Sequence, residues 1–239
     1  MKLLDLTLPS PAENLACDEA LLDWCENGEG EEVLRFWEPR EYFVVVGYAD
    51  KIANEVNVTA CGKRGIPILR RCSGGGTVLQ GPGCLNYTLV LRITNDGPFR
   101  NIGAANQFIM RQNRVAMEAL LKQSVEICGH TDLVVGGRKF SGNSQRRRKK
   151  FLLFHGTFLL NFDLLLIDEL LQMPSKQPDY RRSRSHGEFL TNLRIPADQL
   201  KNALNKAWHA SEELHDFSKL ETHRLAVKKY STAGWNLRL

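Results

Sequence analysis

The sequence contains no long hydrophobic run. Its longest apolar stretches, such as Phe151 to Phe154 and Leu164 to Ile167, fall far short of the roughly 20 residues a membrane-spanning helix requires. No apolar stretch of signal-peptide length follows Met1, and Asp5 interrupts the start with an acid, so a cytoplasmic protein without a membrane is expected. The six cysteines, Cys17, Cys25, Cys61, Cys72, Cys84 and Cys128, include no C-x-x-C pair. That excludes an obvious thiolate zinc site and argues for reduced thiols rather than a disulfide framework. H-E-x-x-H and H-x-x-x-H are also absent, and His130, His155 and His186 are too irregularly spaced to suggest a metal triad. No Gly-Lys-Ser/Thr completes a Walker loop, and G-x-G-x-x-G does not occur.

What is present is enough for a folded core: 239 residues, 43% of them hydrophobic and 25% charged. The net charge of +5 is modest, but Arg146, Arg147, Arg148, Lys149 and Lys150 form an unbroken basic run. Such a run is most often a solvated loop and next most often an anion-binding patch. It lacks the interleaved aromatics of a single-strand nucleic-acid binder, so no nucleic-acid partner is expected.

Ser10-Pro11-Ala12-Glu13 combines an N-cap, a proline at the first helical position and a capping-box acid, which predicts a helix running to about Asn27. Strands are predicted over residues 32–37, 42–48, 66–69, 86–93 and 151–162, from runs rich in Val, Phe, Leu and Ile. Apolar spacing at Phe108, Ile109, Val115, Ala116, Leu120 and Leu121 predicts a long helix over residues 104–123. Gly136-Gly137 predicts a hairpin between residues 133–135 and 138–141. Short helices are expected over 52–61 and 163–171, a loop over 174–186, and surface helices over 197–215 and 219–230. Strands and helices do not alternate regularly, so the expected class is α+β around a mixed, largely antiparallel sheet flanked by helices. Residues 1–195 are expected to form the main domain, with 196–239 a helical extension packed on it.

Three segments carry candidate chemistry. In Arg70-Arg71-Cys72-Ser73-Gly74-Gly75-Gly76-Thr77-Val78, three glycines let backbone N–H groups approach an anion and the arginines add charge-assisted hydrogen bonds. From the glycines alone, a flexible turn between strands is the simpler reading. In Asp132-Leu133-Val134-Val135-Gly136-Gly137-Arg138-Lys139-Phe140-Ser141-Gly142-Asn143, a lysine precedes a glycine by three positions on one strand. The glycine leaves room for a substrate against the backbone, and the lysine can neutralise charge on a carboxyl or phosphoryl oxygen. In His155-Gly156-Thr157-Phe158-Leu159-Leu160, a lone histidine in an apolar strand is expected to play a structural role at the site.

Together, R-R-x-S-G-G-G-x-V, D-L-V-V-x-G-x-K-F-S-G-N and H-G-T-x-L-L resemble the catalytic domain of the lipoate-protein ligase A family, with its octanoyltransferase and biotin ligase relatives. The resemblance runs from about Asn14 to about Leu171. It implies that the glycine-rich strand and the lysine strand enclose a tunnel for an acyl chain, which is transferred to a lysine of a lipoyl carrier domain or glycine-cleavage H-like protein. It also implies ATP and magnesium as cofactors, lipoate as substrate and an acyl-adenylate intermediate. Lys139 then binds the acyl carbonyl and phosphate oxygens as the catalytic residue, and Asp132 is the magnesium candidate. Arg71, Ser73, Gly74, Gly75, Gly76, Thr77, Asn86, Gly142, Asn143, His155, Gly156 and Thr157 are the expected substrate and nucleotide contacts.

Where many ligases read D-x-G-N-x-N after the glycines, this chain reads Gly81-Pro82-Gly83-Cys84-Leu85-Asn86. A large accessory C-terminal domain is also missing from the pattern, so a short ligase or one working with an accessory subunit is implied. Two alternatives stay open: an ATP-independent octanoyl or lipoyl transferase using a cysteine thioester, and a noncatalytic basic binding protein. No cysteine follows His155, where one transferase branch places its P-C-G element and this chain has Met173-Pro174-Ser175. Cys128 is expected to be a small buried residue. The basic run is a candidate for attracting an acidic carrier or nucleotide phosphates.

Overall fold

The structure, a computed structural model, describes all residues except Glu29, Ser218 and Leu239. Its elements run β1 (Lys2–Asp5), α1 (Pro11–Glu26), β2 (Val33–Trp37), β3 (Phe43–Val46), α2 (Ile52–Glu55), α3 (Val58–Arg64), β4 (Ile68–Arg70), β5 (Val78–Gln80) and β6 (Cys84–Arg92). They continue with α4 (Ile102–Leu121), β7 (Glu126–Cys128), β8 (Asp132–Val135), β9 (Arg138–Arg147), β10 (Phe151–Leu159), α5 (Leu165–Leu170), α6 (His186–Phe189) and α7 (Ala197–Trp208). Last come β11 (Glu212–Glu213), α8 (Lys219–Leu225), which passes into a π turn over Ala226–Tyr230, and α9 (Ala233–Asn236).

Eight strands form the main sheet in the order β11-β1-β2-β6-β10-β9-β8-β7. The β1 strand is parallel to both its neighbours and every other pairing is antiparallel, which is the expected mixed α+β class. A second sheet, β4-β3-β5, was not anticipated as separate. It is buried on both faces, so its centre reads as an unbroken apolar run, Phe43-Val44-Val45-Val46, rather than an alternation. Val44 and Val46 pack with Ile167 and Leu170 of α5, while Phe43 and Val45 pack with Ala16 and Ala20 of α1.

The main sheet is also covered on both faces. Leu152, Phe154 and Phe158 of β10 point to the α4 side, where Ile109, Met110 and Met117 meet Leu200, Leu204 and Trp208 of α7. Phe151 and Leu153 point the other way, against Cys17, Leu21 and Leu22 of α1. The period-2 alternation of β10 therefore separates a core face from the face that carries the site. The expected helix over 197–215 stops at Trp208, because His209 turns left-handed at φ 51° and the chain then adds β11 beside β1. That helix lies on the surface and packs one face on the core through Leu200, Leu204 and Trp208. The expected loop over 174–186 holds a single 3-10 turn, Asp179–Arg181.

The basic run divides: Arg146 and Arg147 belong to β9, while Arg148, Lys149 and Lys150 form an exposed turn, as a solvated loop would. Strand β9 extends through Arg147, Arg146 Nη1 donates to the Cys72 carbonyl at 2.8 Å, and Arg147 Nη2 donates to the Phe99 carbonyl at 2.6 Å. Arg148 pairs with Asp23 at 2.8 Å, and Glu26 accepts from the backbone N–H groups of Lys149 and Lys150. Arg146 and Arg147 are drawn inward by carbonyls that sequence spacing does not reveal.

Candidate active site

Two cross-strand rows on the α1 side of the main sheet build the site. One runs Arg35, Thr88, His155, Ser144 across β2, β6, β10 and β9; the next runs Trp37, Asn86, Thr157, Gly142, Asp132 and reaches β8. Rows two residues apart along a strand are separated by about 7 Å, so groups on both can reach one small substrate atom cluster. The loop between β4 and β5, Ser73 to Gly76, faces this surface: Ser144 Oγ donates to the Gly74 carbonyl at 2.7 Å.

Lys139 enters from the hairpin turned at Gly136 and Gly137, whose φ values of 55° and 74° need glycine. Its side chain folds back along β9 over Gly142. A Cβ at Gly142 would lie 2.8 Å from Lys139 Nζ, so only glycine leaves the amine this place. The amine pairs with Asp132 Oδ1 at 2.8 Å, and Tyr180 donates its hydroxyl to Asp132 Oδ2 at 2.6 Å. Burial, then the Asp132 charge, raise the Tyr180 pKa, which keeps that hydroxyl protonated as a donor. Sequence reading did not find Tyr180; it lies in the segment read as loop.

In the row beyond, Asn86 Nδ2 donates to Gln80 Oε1 at 3.0 Å, Gln80 Nε2 to Thr157 Oγ1 at 2.6 Å, and Thr157 Oγ1 to Asn86 Oδ1 at 2.6 Å. This closed triangle ties β5 to the main sheet. Thr77 hydrogen-bonds Asp50 at 3.4 Å beside the glycine loop.

Arg71 does not reach outward. Its guanidinium donates to the carbonyls of Gly74 at 2.6 Å and Gly76 at 2.8 Å, and its Nε to Ser73 Oγ at 3.1 Å. Holding those carbonyls inward leaves the loop's N–H groups for an anion, so Arg71 shapes the cradle rather than lining it. Burial pulls its pKa down to about 10, which still leaves it charged near neutrality.

Ser73 Oγ lies 2.6 Å from His155 Nε2, His155 Nδ1 lies 3.1 Å from Asp18 Oδ2, and Asp18 Oδ1 pairs with Arg35 at 2.5 Å. Burial alone would push the Asp18 carboxyl up, but Arg35 and His155 outweigh it and hold the pKa below the usual carboxylate value. Neither Asp18 nor Arg35 was singled out from the sequence. The available signal was that Asn14 and Asp18, four apart, interrupt the apolar positions of α1 on its buried side.

Not every expected contact faces the site. Asn143 and Gly156 lie on the α4 side of the sheet. Asn143 accepts from the Tyr87 hydroxyl at 2.6 Å and donates to the Thr131 carbonyl at 2.6 Å. A Cβ at Gly156 would sit 1.8 Å from Asn143 Oδ1, so that glycine answers Asn143 rather than a ligand. Cys128 is half-buried rather than buried, and is paired in register with Asp132. Its thiol pKa is raised by burial, then by Glu126 and Asp132. Cys72 and Cys84 are buried and pushed up to about 12.

Among the described residues no three His, Cys, Asp or Glu side chains cluster as a metal site. Asp132 is a lone carboxylate with two oxygens already bonded once each. Magnesium commonly needs only one or two carboxylates together with substrate phosphates and waters, so this donor set fits that ion.

The sheet face bears a lysine over a glycine, opposite an amide-rich loop and a part-buried imidazole. Residues 10–208 match the model of the lipoyl protein ligase A/B catalytic domain, and the chain belongs to that family. It is an enzyme of the lipoate-protein ligase and octanoyltransferase type. Octanoyltransferase LipM of Bacillus subtilis is 28% identical, covering 99% of this chain and 98% of the relative. Lipoate-protein ligase A subunit 1 of Thermoplasma acidophilum is 30% identical over 95% of this chain and 92% of the relative. The crystal structure of a lipoate-protein ligase A bound with ATP superposes with a TM-score of 0.83 at 25% identity, over 99% of this chain and 98% of the other. The bipartite lipoate protein ligase of T. acidophilum, studied with its E2 lipoyl domain, gives 0.82 at 25% identity, over 99% of this chain and 95% of that one.

Proposed function

We propose that this enzyme attaches lipoate, or a similar medium-chain acyl group, to one lysine of a lipoyl carrier domain through an acyl-adenylate formed from ATP. The observation that carries this reading is Lys139, whose amine lies over Gly142 on the sheet face opposite the glycine loop. There it neutralises the acyl carbonyl and phosphate oxygens as charge grows on them, an effect typically worth about 3 to 4 kcal/mol per positioned donor. The loop's free N–H groups, shaped by Arg71, receive the anion. Asp132 is the residue that would hold a magnesium ion, which would supply charge neutralisation during activation. Asn86 and Thr157 act on the nucleotide side by holding Gln80 and the β5 edge in place, and the E2 lipoyl domain of the Thermoplasma system supports a lipoyl domain as acceptor, with an accessory subunit as a further partner.

The thiols support the same reading. A thioester route needs a thiolate with a lowered pKa. Every cysteine here is raised, and the half-buried one, Cys128, faces two acids. The competing reading, ATP-independent octanoyl transfer, is favoured by the full-length relationship to octanoyltransferase LipM and would use Cys128 beside Asp132. Intact-mass analysis of an E2 lipoyl domain incubated with lipoate decides between them. Acylation that requires ATP and survives Cys128→Ser supports the ligase; octanoyl-thioester-driven acylation that Cys128→Ser abolishes supports the transferase.

A further inference from the structure

Aminolysis of an activated acyl group releases a proton from the attacking nitrogen, and that proton needs an acceptor. We propose that Ser73, His155 and Asp18 form a proton relay that deprotonates the acceptor lysine as it attacks, with Asp18 and Arg35 as positioning residues. The inference rests on the acyl-transfer reading above and adds to it the base.

A carboxylate can only accept, so Asp18 Oδ2 at 3.1 Å fixes the proton of the neutral imidazole on Nδ1 and leaves Nε2 as the acceptor for Ser73. Thr88, the neighbour between Arg35 and His155 in the cross-strand row, leaves its hydroxyl without a hydrogen-bond partner among the described residues, so it does not compete for the ring. The Ser73 hydroxyl donates to His155 and accepts from Arg71 Nε, which leaves one lone pair open. Ser73 is itself 1% exposed and lies directly under the exposed Gly74 to Gly76 backbone that follows it, while His155 keeps 12% of its side chain exposed.

Packing does not call for this arrangement. Asp18 and Arg35 are 3% and 0% exposed, and a buried ion pair is often no more stabilising than apolar residues of the same volume. Arg35 is further fixed by the Asn14 and Leu6 carbonyls and by Asn14 Oδ1. The result is an ionised carboxylate held rigidly behind the imidazole, the orientation that stabilises an imidazolium when it forms.

In the step itself, the bond between the acceptor nitrogen and the acyl carbon forms, and the bond from that carbon to the phosphate oxygen breaks. AMP leaves with the electron pair. The lysine, an ammonium near neutral pH, sheds two protons: the one lost for attack passes to Ser73 Oγ while the serine's own proton moves to His155 Nε2, and the second leaves the acylated nitrogen to solvent, as the imidazolium's proton later does. General base catalysis of this kind typically contributes 10²- to 10⁴-fold.

The test supplies preformed lipoyl-adenylate, with octanoyl thioester in parallel, to the wild type and to Asp18→Asn and Ser73→Ala. Two acceptors are compared, an E2 lipoyl domain and hydroxylamine, a nucleophile already unprotonated near neutral pH. With the donor that the wild type turns over, both variants are expected to lower the ratio of lysine transfer to hydroxamate formation by on the order of 10²-fold. A parallel fall with both acceptors, leaving the ratio unchanged, overturns the relay and assigns these residues to site shape alone. Ser73→Ala keeps the experiment decisive if Asp18→Asn, by unpairing Arg35, fails to fold. Pyrophosphate release from ATP and lipoate is read separately in the wild type, so failure of the ligase reading is distinguishable from failure of the relay.

Discussion

Replacing Asn113 with alanine tests whether α7 belongs to the same cooperative unit as the sheet that carries the site. Asn113 is fully buried on α4; its Nδ2 donates to the Tyr87 hydroxyl at 2.7 Å and its Oδ1 accepts from Trp208 Nε1 at 2.9 Å. Tyr87 in turn donates to Asn143, so one chain of bonds links α7, α4, β6 and β9. In Asn113→Ala, Tyr87 keeps Asn143 as its acceptor, but the Trp208 indole N–H is left buried without one. An orphaned donor costs about 1 to 3 kcal/mol, and the cavity left by the amide adds to it, giving roughly 2 to 4 kcal/mol in all. For a chain of this size that corresponds to a fall in Tm of roughly 5 to 12 °C. Urea unfolding followed by far-ultraviolet circular dichroism and tryptophan fluorescence measures it, alongside Trp208→Phe and the double variant. Removing the indole N–H removes the orphan, so the double variant should lose less than the sum of the two singles. Additive losses, or two separated transitions in the wild type, would refute the coupling and make the residues after 195 an independent appendage.

Lys139→Ala is expected to abolish acyl transfer while the circular dichroism spectrum is unchanged, because its amine pairs with part-exposed Asp132 rather than with a core group; transfer near the wild-type rate removes the central assignment. Substituting Arg146, Arg147 and Arg148 together with alanine should lower stability by roughly 2 to 3 kcal/mol in urea melts, since each arginine bonds the protein itself, whereas Lys149→Ala with Lys150→Ala should cost under about 0.5 kcal/mol. Asp18 has a folded pKa below its unfolded value, so the stability it contributes is present above about pH 4 and is lost as pH falls through the folded pKa. The acid limb of the urea midpoint should therefore be shallower in Asp18→Asn than in the wild type; parallel limbs would contradict the assignment.

The long elements were legible because their signals are local. Ser10 caps α1 with the capping box that its spacing to Glu13 announces, and α4 follows its apolar periodicity from the Asn101 cap onward. Gly136 and Gly137 turn the lysine hairpin as read. Strands β1, β5, β7 and β11 were not read, being two to four residues long; β1, β5 and β11 are held by partners far away in sequence, and β7 by a short local hairpin with β8. The site was legible in its motifs but not in its supports. Lys139, Ser73 and His155 stood out by their company, whereas Asp18, Arg35 and Tyr180 gain meaning only when helix, strand and loop are brought together. Asn143 shows the reverse error: it lies within a motif, yet strand alternation turns its side chain to the core.

The last described residues also bear on how firmly the site is held. Arg70, at the root of the glycine loop, donates to the Arg238 carbonyl, its backbone N–H is received by Asn236 Oδ1, and its carbonyl accepts from Trp235 Nε1 at 2.8 Å. The cradle thus draws part of its bracing from the far end of the described chain, beside the Gly47 and Asp50 carbonyls that also hold Arg70, so truncation before residue 235 is expected to loosen it, read as faster amide exchange over residues 70–76.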